Sequence, residues 1–455
     1  MYPNMYPTKI LLTGVLLILA GCSQAPQNSA KQETTSTTPS VTLFEGARVI
    51  TGDGSAPLED AVILMENAKI TGVGHKGELT APAGAARVDL TGKTVMPALV
   101  DTHTHLGWAV IKTGKIGPDT YTKENLIDHL HRLAYYGVAA TQSMGIDPGE
   151  TPYEVRANPI PDAALFHTAG RGMGRTNAGP GQAYWKPVAY AIETEADARK
   201  AVQELAAKKV YWVKFWVDDR GGTVPKLTPA LYRAIIDEAH KNGLRAVAHI
   251  YYLADAKDLL RAGLDGFAHG VRDKDIDDEF MQLIKARPNV FVIPNLPDNG
   301  TGLKDSMWLS ETVPASEIKR LTDAYQGRSP ADAKKASEFF AVQARNLKKL
   351  SDAGVRIGFG TDSGVTVGWT AHEELTDMVS AGMTPSQVIT AATKTSAEIL
   401  KMDQLGTVAP GKSADFIVLD ANPLDNITNT RKIAKVYLRG KEVDRAGLRT
   451  GFVGP

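Results

Sequence analysis

Apolar residues in this chain follow three regimes of spacing. From 41 to 96 they come in short runs broken by turn residues, such as Ala61-Val62-Ile63-Leu64-Met65, then Glu66-Asn67, then Lys69-Ile70-Thr71-Gly72-Val73. That pattern predicts small antiparallel sheet structure. From 95 to about 400, eight apolar runs recur, near 95–102, 138–144, 164–168, 210–217, 245–250, 266–270, 289–294 and 356–361. Helical stretches separate most of them, for example 195–208, 229–242 and 333–353. Strands alternating with helical crossovers predict an α/β fold, a parallel (β/α)8 barrel spanning 97–404. Residues 405–455 return to short strands, expected to complete the segment 41–96 as a small composite β-sandwich built from both chain ends. No internal repeat is visible.

The N-terminus breaks the pattern. Lys9 precedes an apolar run over 10–20, too short to span a bilayer comfortably and suited to the core of a signal peptide. The run closes with Leu19-Ala20-Gly21-Cys22, the bacterial lipoprotein processing pattern, so residues 1–21 read as a leader and Cys22 as the lipidated first residue of the mature chain. A plain secretory leader with an incidental cysteine is the alternative. Ser23, where aspartate would direct retention elsewhere, resembles lipoproteins sorted to an outer membrane. The expected location is the bacterial cell envelope, anchored by lipid and facing the periplasm. Residues 22–40 are rich in Ser, Gln, Ala, Thr and Pro without an aromatic residue, the composition of a flexible tether.

Composition narrows the partners. The 455 residues carry 51 basic and 51 acidic side chains, a balance that gives no reason to expect nucleic acid. Cys22 is the one cysteine, so no disulfide forms within the chain. A length of 455 residues accommodates one large domain and a smaller one, and the oligomeric state is left open.

Candidate chemistry sits where the apolar runs end. Asp101-Thr102-His103-Thr104-His105 follows the first run, and residues two apart on a strand point the same way, so His103 and His105 aim two imidazoles at one point. Two neutral imidazoles are half of a metal site. Later runs end in His249, in His269-Gly270 and in Asp362-Ser363-Gly364. Lys214 stands inside the apolar run 210–217, where an ammonium must be paired, neutralised or chemically altered.

In this arrangement the chain resembles the metal-dependent amidohydrolase superfamily, in particular the imidazolonepropionase-like branch with its Xaa-Pro dipeptidases. The motifs that carry the resemblance are Val100 to His105, Lys214, His249, His269-Gly270 and Gly360-Thr361-Asp362-Ser363-Gly364, with Gly406 to Phe416 similar to the family's return strand. It departs from the family at Pro97-Ala98, where members read Pro-Gly, and at Ala169 to Gly174, where many dipeptidases carry Gly-Gly-His. The second departure leaves dipeptide and other substrates open.

The resemblance implies a barrel with its site at the C-terminal ends of the strands. It implies two divalent metal ions, zinc being the first expectation and Mn, Fe or Co compatible with the same ligands. His103, His105 and Asp362 would hold one ion, His249 and His269 the other, and Lys214, carboxylated by CO2 to a carbamate, would bridge them. A lysine paired with Asp218 or Asp219 is the alternative at that position. Asp362 is the expected general base and proton shuttle in hydrolysis of a C–N bond in a small amide, cyclic amide or dipeptide. A mononuclear imidazolonepropionase- or deaminase-like hydrolase, and a non-catalytic binding lipoprotein, are the competing readings. Loop residues expected to meet a small-molecule substrate are Tyr251, two after His249, and Arg171 and Arg175 after the third strand. Of the other histidines, His129, His131, His75, His240 and His372 carry little weight, and His167 is open between core and site. Asn295 is a weak candidate, in a shaped loop between Pro294 and Pro297.

If Cys22 is lipidated, mature protein from native membranes carries acyl chains on that residue, and Cys22→Ala releases or mis-sorts the protein. Mass spectrometry that finds an unprocessed N-terminus at Met1 excludes the anchor.

Overall fold

Parallel strands covered by helices on one face and filled by side chains on the other are buried throughout, and the apolar runs form such strands. They are β1 (Leu99–Thr104), β2 (Val138–Ser143), β3 (Leu165–Thr168), β4 (Trp212–Val217), β5 (Arg245–Ile250), β6 (Gly266–Ala268), β7 (Phe291–Ile293) and β8 (Arg356–Ile357). Every position of β1, β2 and β4 is buried. The computed structural model describes residues 41–296 and 305–453, so the leader, Cys22 and the tether expected from the sequence lie outside the described residues.

The strands pair in parallel, β3-β2-β1 in one set and β4 through β8 in the other. The two seams are made differently. Thr102 N donates to Phe359 O at 2.9 Å, and Thr104 bridges Ser363 in parallel, so the residues after β8 join it to β1. At the other seam a two-residue strand, Met173–Gly174, follows β3 and pairs Met173 with Phe215 of β4. Phe215, Val247, Phe291 and Phe359 belong to the continuous apolar core of the ring.

β8 is regular for only two residues of the run at 356–361. Gly360 lets the chain beyond it press inward: a Cβ there would lie 2.7 Å from both His103 Cβ and Ile293 Cγ2. Helices alternate with the strands and carry their own start signals. Glu195–Ala207 opens with a reciprocal Thr194–Asp197 capping box, Pro229–Lys241 has proline in its first turn, and Pro330–Asp352 is capped by the Ser329 hydroxyl.

The second sheet draws on both chain ends. Thr94–Pro97 runs parallel to Val41–Val49 on one side and antiparallel to Phe416–Leu419 on the other, and Phe416–Leu419 continues to Ile433–Leu438. Its eight strands enclose a separate core in which Phe44 meets Phe416 edge-on, with ring centroids 5.2 Å apart. Because Thr94–Pro97 leads almost directly into β1, this sheet anchors the start of the strand that carries the His-x-His motif. The tail ends in a helix, Arg445–Val453, whose Phe452 ring lies 4.3 Å from the Arg132 guanidinium carbon. Among the described residues no helix is long and apolar enough to cross a membrane.

The close approach at Gly360 yields a test. Gly360→Ala forces overpacking between β1 and β7 and is expected to lower unfolding free energy by about 1–3 kcal/mol. Urea unfolding at a wild-type midpoint would show that the space is not needed.

Candidate metal centre

The seam between β1 and β8 builds the centre. Asp101 is fully buried on β1, and its Oδ1 accepts from His103 N at 3.0 Å and from Thr361 N at 3.2 Å, while Oδ2 accepts from the Thr361 hydroxyl at 2.8 Å. Asp362 N donates to His103 O at 2.7 Å. These bonds fix the turn after β8 against the His-x-His turn. As a result Asp362 Oδ1 lies 3.2 Å from His103 Nε2 and 2.9 Å from His105 Nε2. The ligating atoms of these three residues all lie within 4.8 Å of one another.

β5 and β6 complete the group. The His249 and His269 rings are 4.6 Å apart, the His269 and His103 rings 4.9 Å, and His269 Nε2 stands 3.8 Å from Asp362 Oδ2. His269, Asn295 and Asp362, at the ends of three successive strands, all have positive φ, at 88°, 44° and 55°. Backbone of that kind is costly for non-glycine residues and collects at functional sites. Two further side chains orient the imidazoles. His103 Nδ1 donates to Asn295 Oδ1 at 2.8 Å, and His249 Nε2 pairs with Asp218 Oδ2 at 3.1 Å, both among buried residues.

Lys214 is buried on β4 at 1% exposure, and among the described residues its Nζ makes no hydrogen bond or ion pair. Neither acid proposed as its partner engages it. Asp218 is taken by His249 and by Arg220, and Asp219 by Tyr252 and Lys226. Burial pushes the Lys214 ammonium down to about 7, so the neutral amine is accessible near neutral pH. Burial likewise holds His103 and His249 at about 3 and therefore neutral. Burial pushes the Asp362 carboxyl up, but the neighbouring histidines outweigh it and hold the group well below the usual carboxylate range.

This donor set suits a divalent cation. With Nδ1 donating to Asn295, His103 Nε2 presents a lone pair toward a carboxylate oxygen, an arrangement that needs a positive charge between the two. His103 Nε2, His105 Nδ1 and His269 Nδ1 are buried nitrogens without a hydrogen-bond partner. Neutral imidazoles and a carboxylate are ligands for zinc and related ions.

A cavity of about 280 Å³ opens onto the group. Besides His105, Lys214, His249, His269 and Asp362, it is lined by Trp185, Trp216, Gln182, Arg220 and Arg272. A roomier groove of about 930 Å³, walled by Met281, Phe340 and Ala344, lies among outer helices and has no histidine in its lining. The convergence of ligands marks the smaller cavity as the site.

The remaining candidates lie elsewhere. Arg171 donates to Val188 O at 2.6 Å and stacks on Tyr190, Arg175 pairs with Glu193 at 2.5 Å, and neither lines the cavity. Tyr251 stacks on Phe339 and is likewise not among the cavity-lining residues. His167 packs against Tyr211, His129 is held between Gly107 N and Ala109 O, and His372 bonds Thr430 and Tyr136 O. Sequence reasoning gave no role to Asp101, Arg220 or Arg272 and named Asp218 only as a partner for Lys214. Asp101 had a visible signal, its place two residues before a ligating histidine on a buried strand. The arginines, in irregular loops, had none.

The chain is similar to known proteins over most of its length. A model of the amidohydrolase family matches residues 94–443. A functionally uncharacterised protein of Mycobacterium tuberculosis is 26% identical over 321 residues, covering 69% of this chain and 76% of its own length. A 5-methylthioadenosine/S-adenosylhomocysteine deaminase of Bacillus cereus is 23% identical over 450 residues, covering 88% and 93%. Among solved structures, a Xaa-Pro dipeptidase with bound methionine in its active site superposes with a TM-score of 0.70 at 21% identity, covering 89% of this chain and 99% of its own.

Asn295→Leu removes the acceptor that orients His103 and leaves β1 intact. It is expected to weaken divalent-ion affinity by about 10- to 100-fold, with the urea midpoint of the metal-free protein near wild type. Competition against a chromophoric chelator measures it; unchanged affinity would show that His103 is oriented without Asn295.

Proposed function

The chain belongs to the amidohydrolase family, and from that membership we propose that it is a metal-dependent hydrolase cleaving a C–N bond in a small amide, cyclic amide or dipeptide. One observation carries the reading: His103, His105 and Asp362 converge beside His249, His269 and an unpaired, buried Lys214 at the mouth of the barrel. His103, His105 and Asp362 hold one divalent ion in this proposal, and His249 and His269 a second, zinc being the first choice. Such ions supply Lewis acidity, lowering the pKa of water toward neutrality and polarising the scissile carbonyl.

Lys214 joins the ligand set as a carbamate. Its neutral amine attacks the carbon of CO2, an N–C bond forms, and one proton leaves to solvent, giving an anion with two oxygens for the two ions. The depressed basicity of the ammonium and its lack of an acid partner support this step. Asp362 is 41% exposed toward the cavity and ionised. It takes a proton from the attacking water and, being a strong acid once protonated, passes it to the basic leaving nitrogen. Trp185 and Trp216 wall the cavity and limit solvent around the reacting bond.

A second reading, in line with the deaminase relative, is a one-ion centre on His103, His105, His249 and Asp362 that hydrolyses an amino-substituted ring or an imidazolone. Attachment of the enzyme to the envelope through Cys22, facing the periplasm, is also part of the proposal and rests on residues 10–23 alone.

Metal-loaded protein screened against dipeptides, N-acyl amino acids, lactams and lactones, with bound metal counted in parallel, tests the assignment. Lys214→Ala is expected to lower bound metal from about two ions per chain and nearly abolish turnover, with partial rescue by a short-chain carboxylic acid. Retention of one ion and full activity selects the one-ion reading. Asp362→Asn is expected to cost several orders of magnitude in kcat; full activity would exclude it as proton shuttle.

A further inference from the structure

The cavity lining holds two arginines with too little negative charge among the described residues to neutralise them. Arg272 follows β6, and its backbone N donates to Tyr251 O at 2.9 Å, tying its loop to the one after β5. Its side chain reaches the cavity alongside Phe339, with the guanidinium carbon 6.0 Å from that ring. The only bond that its guanidinium makes among the described residues is a long one, Nε to Gln343 Oε1 at 3.3 Å, and no carboxylate lies within ion-pair distance. Among the described residues the two terminal nitrogens of the fork have no partner.

Arg220 lies on the loop after β4. Its Nη2 donates to Gly179 O at 3.1 Å, and its Nε stands 3.5 Å from Asp218 Oδ2. That carboxylate is already shared with His249 and the Arg220 backbone N–H. Lys214, Arg220 and Arg272 thus line the cavity against a single lining carboxylate, Asp362, which faces the histidines. An arginine fork left open in a small, partly desolvated cavity fits a planar anion that can accept two parallel hydrogen bonds. The lining also offers aromatic surface. Trp185 lies 5.1 Å from the His105 ring, and Trp216 lines the same cavity, so a flat apolar group can be accommodated beside the anion.

We propose that Arg272, assisted by Arg220, seats a carboxylate of the substrate, so that the enzyme selects N-acyl amino acids, dipeptides and similar amides bearing a free carboxylate over neutral amides of the same shape. The inference rests on the hydrolase reading and names its substrate class. Arg272 acts as a specificity residue. A seat built to bond an anion rejects the uncharged analogue because its own polar groups are left unpaired.

Binding and turnover test it separately. In N-(phenylsulfonyl)glycine and its carboxamide a hydrolysis-resistant sulfonamide replaces the scissile amide, and the two differ only in the terminal group. Their affinities for the metal-loaded full chain can be read from quenching of tryptophan fluorescence. Wild type is expected to bind the carboxylate roughly 10- to 100-fold tighter than the carboxamide. Arg272→Met should bring that ratio close to one and Arg272→Lys should restore part of it, while Arg220→Met gives a smaller loss. In turnover of N-benzoylglycine, Arg272→Met should raise KM with kcat little changed. Equal affinity of wild type for both ligands, a result independent of whether any variant folds, overturns the proposal, as does an unchanged ratio in folded Arg272→Met. Selective binding without hydrolysis of any amide would remove the hydrolase reading and leave the anion seat standing. Hydrolysis of carboxylate and carboxamide substrates at equal kcat/KM would do the reverse.

Discussion

Everything at this site depends on the buried carboxylate of Asp101. It is the acceptor that joins β1 to the turn after β8, and through it the two histidines of one strand and the aspartate of another meet at hydrogen-bond distance. Burial, with the nearby charge of Asp362, pushes its pKa up to about 7 even though the bonds from His103 N and Thr361 act against that rise. A buried acceptor of this kind is costly when unpaired and stabilising when fully bonded. The seam therefore closes in one register, and that register is the one that brings Asp362 beside His103 and His105.

The centre is a concentrated set of groups that folding alone leaves unsatisfied. Neutral imidazoles with unpartnered nitrogens, an ammonium stripped of water and a carboxylate crowded by rings would each be disfavoured in an ordinary core. Conflict between local preference and global fold, confined to one end of a barrel, is the usual mark of a functional site. The fold offsets it with the large apolar core beneath and with the sheet that clamps the start of β1. Asn295 and Asp218 matter here as well, since each turns an imidazole by holding its far nitrogen.

The sequence made the strands legible because a parallel strand buried on both faces has to be an unbroken apolar run. The residues that converge at the centre were legible because each sits where such a run ends. His103, His105, His249, His269 and Asp362 could be picked out one by one, and Lys214 stood out as a charge inside an apolar run. What escaped were residues whose role comes from loop geometry. Arg171 and Arg175 were the arginines that attracted notice, after the third strand, yet Arg220 and Arg272 line the cavity, because the loops after β4 and β6 fold inward while Arg171 is drawn off by Val188 and Tyr190. No period or motif marks that difference. The short regular part of β8 was likewise hidden, although Gly358 and Phe359 beyond it still bond to β7 and β1.

The left-handed residues at the ends of β6, β7 and β8 have a consequence for how this protein can change. His269, Asn295 and Asp362 adopt this backbone at the very residues whose side chains meet at the centre. A replacement there changes the backbone preference together with the side chain, and a β-branched residue carries a conformational cost beyond the loss of the polar group. These three positions are therefore constrained twice over, once by chemistry and once by the path of the chain.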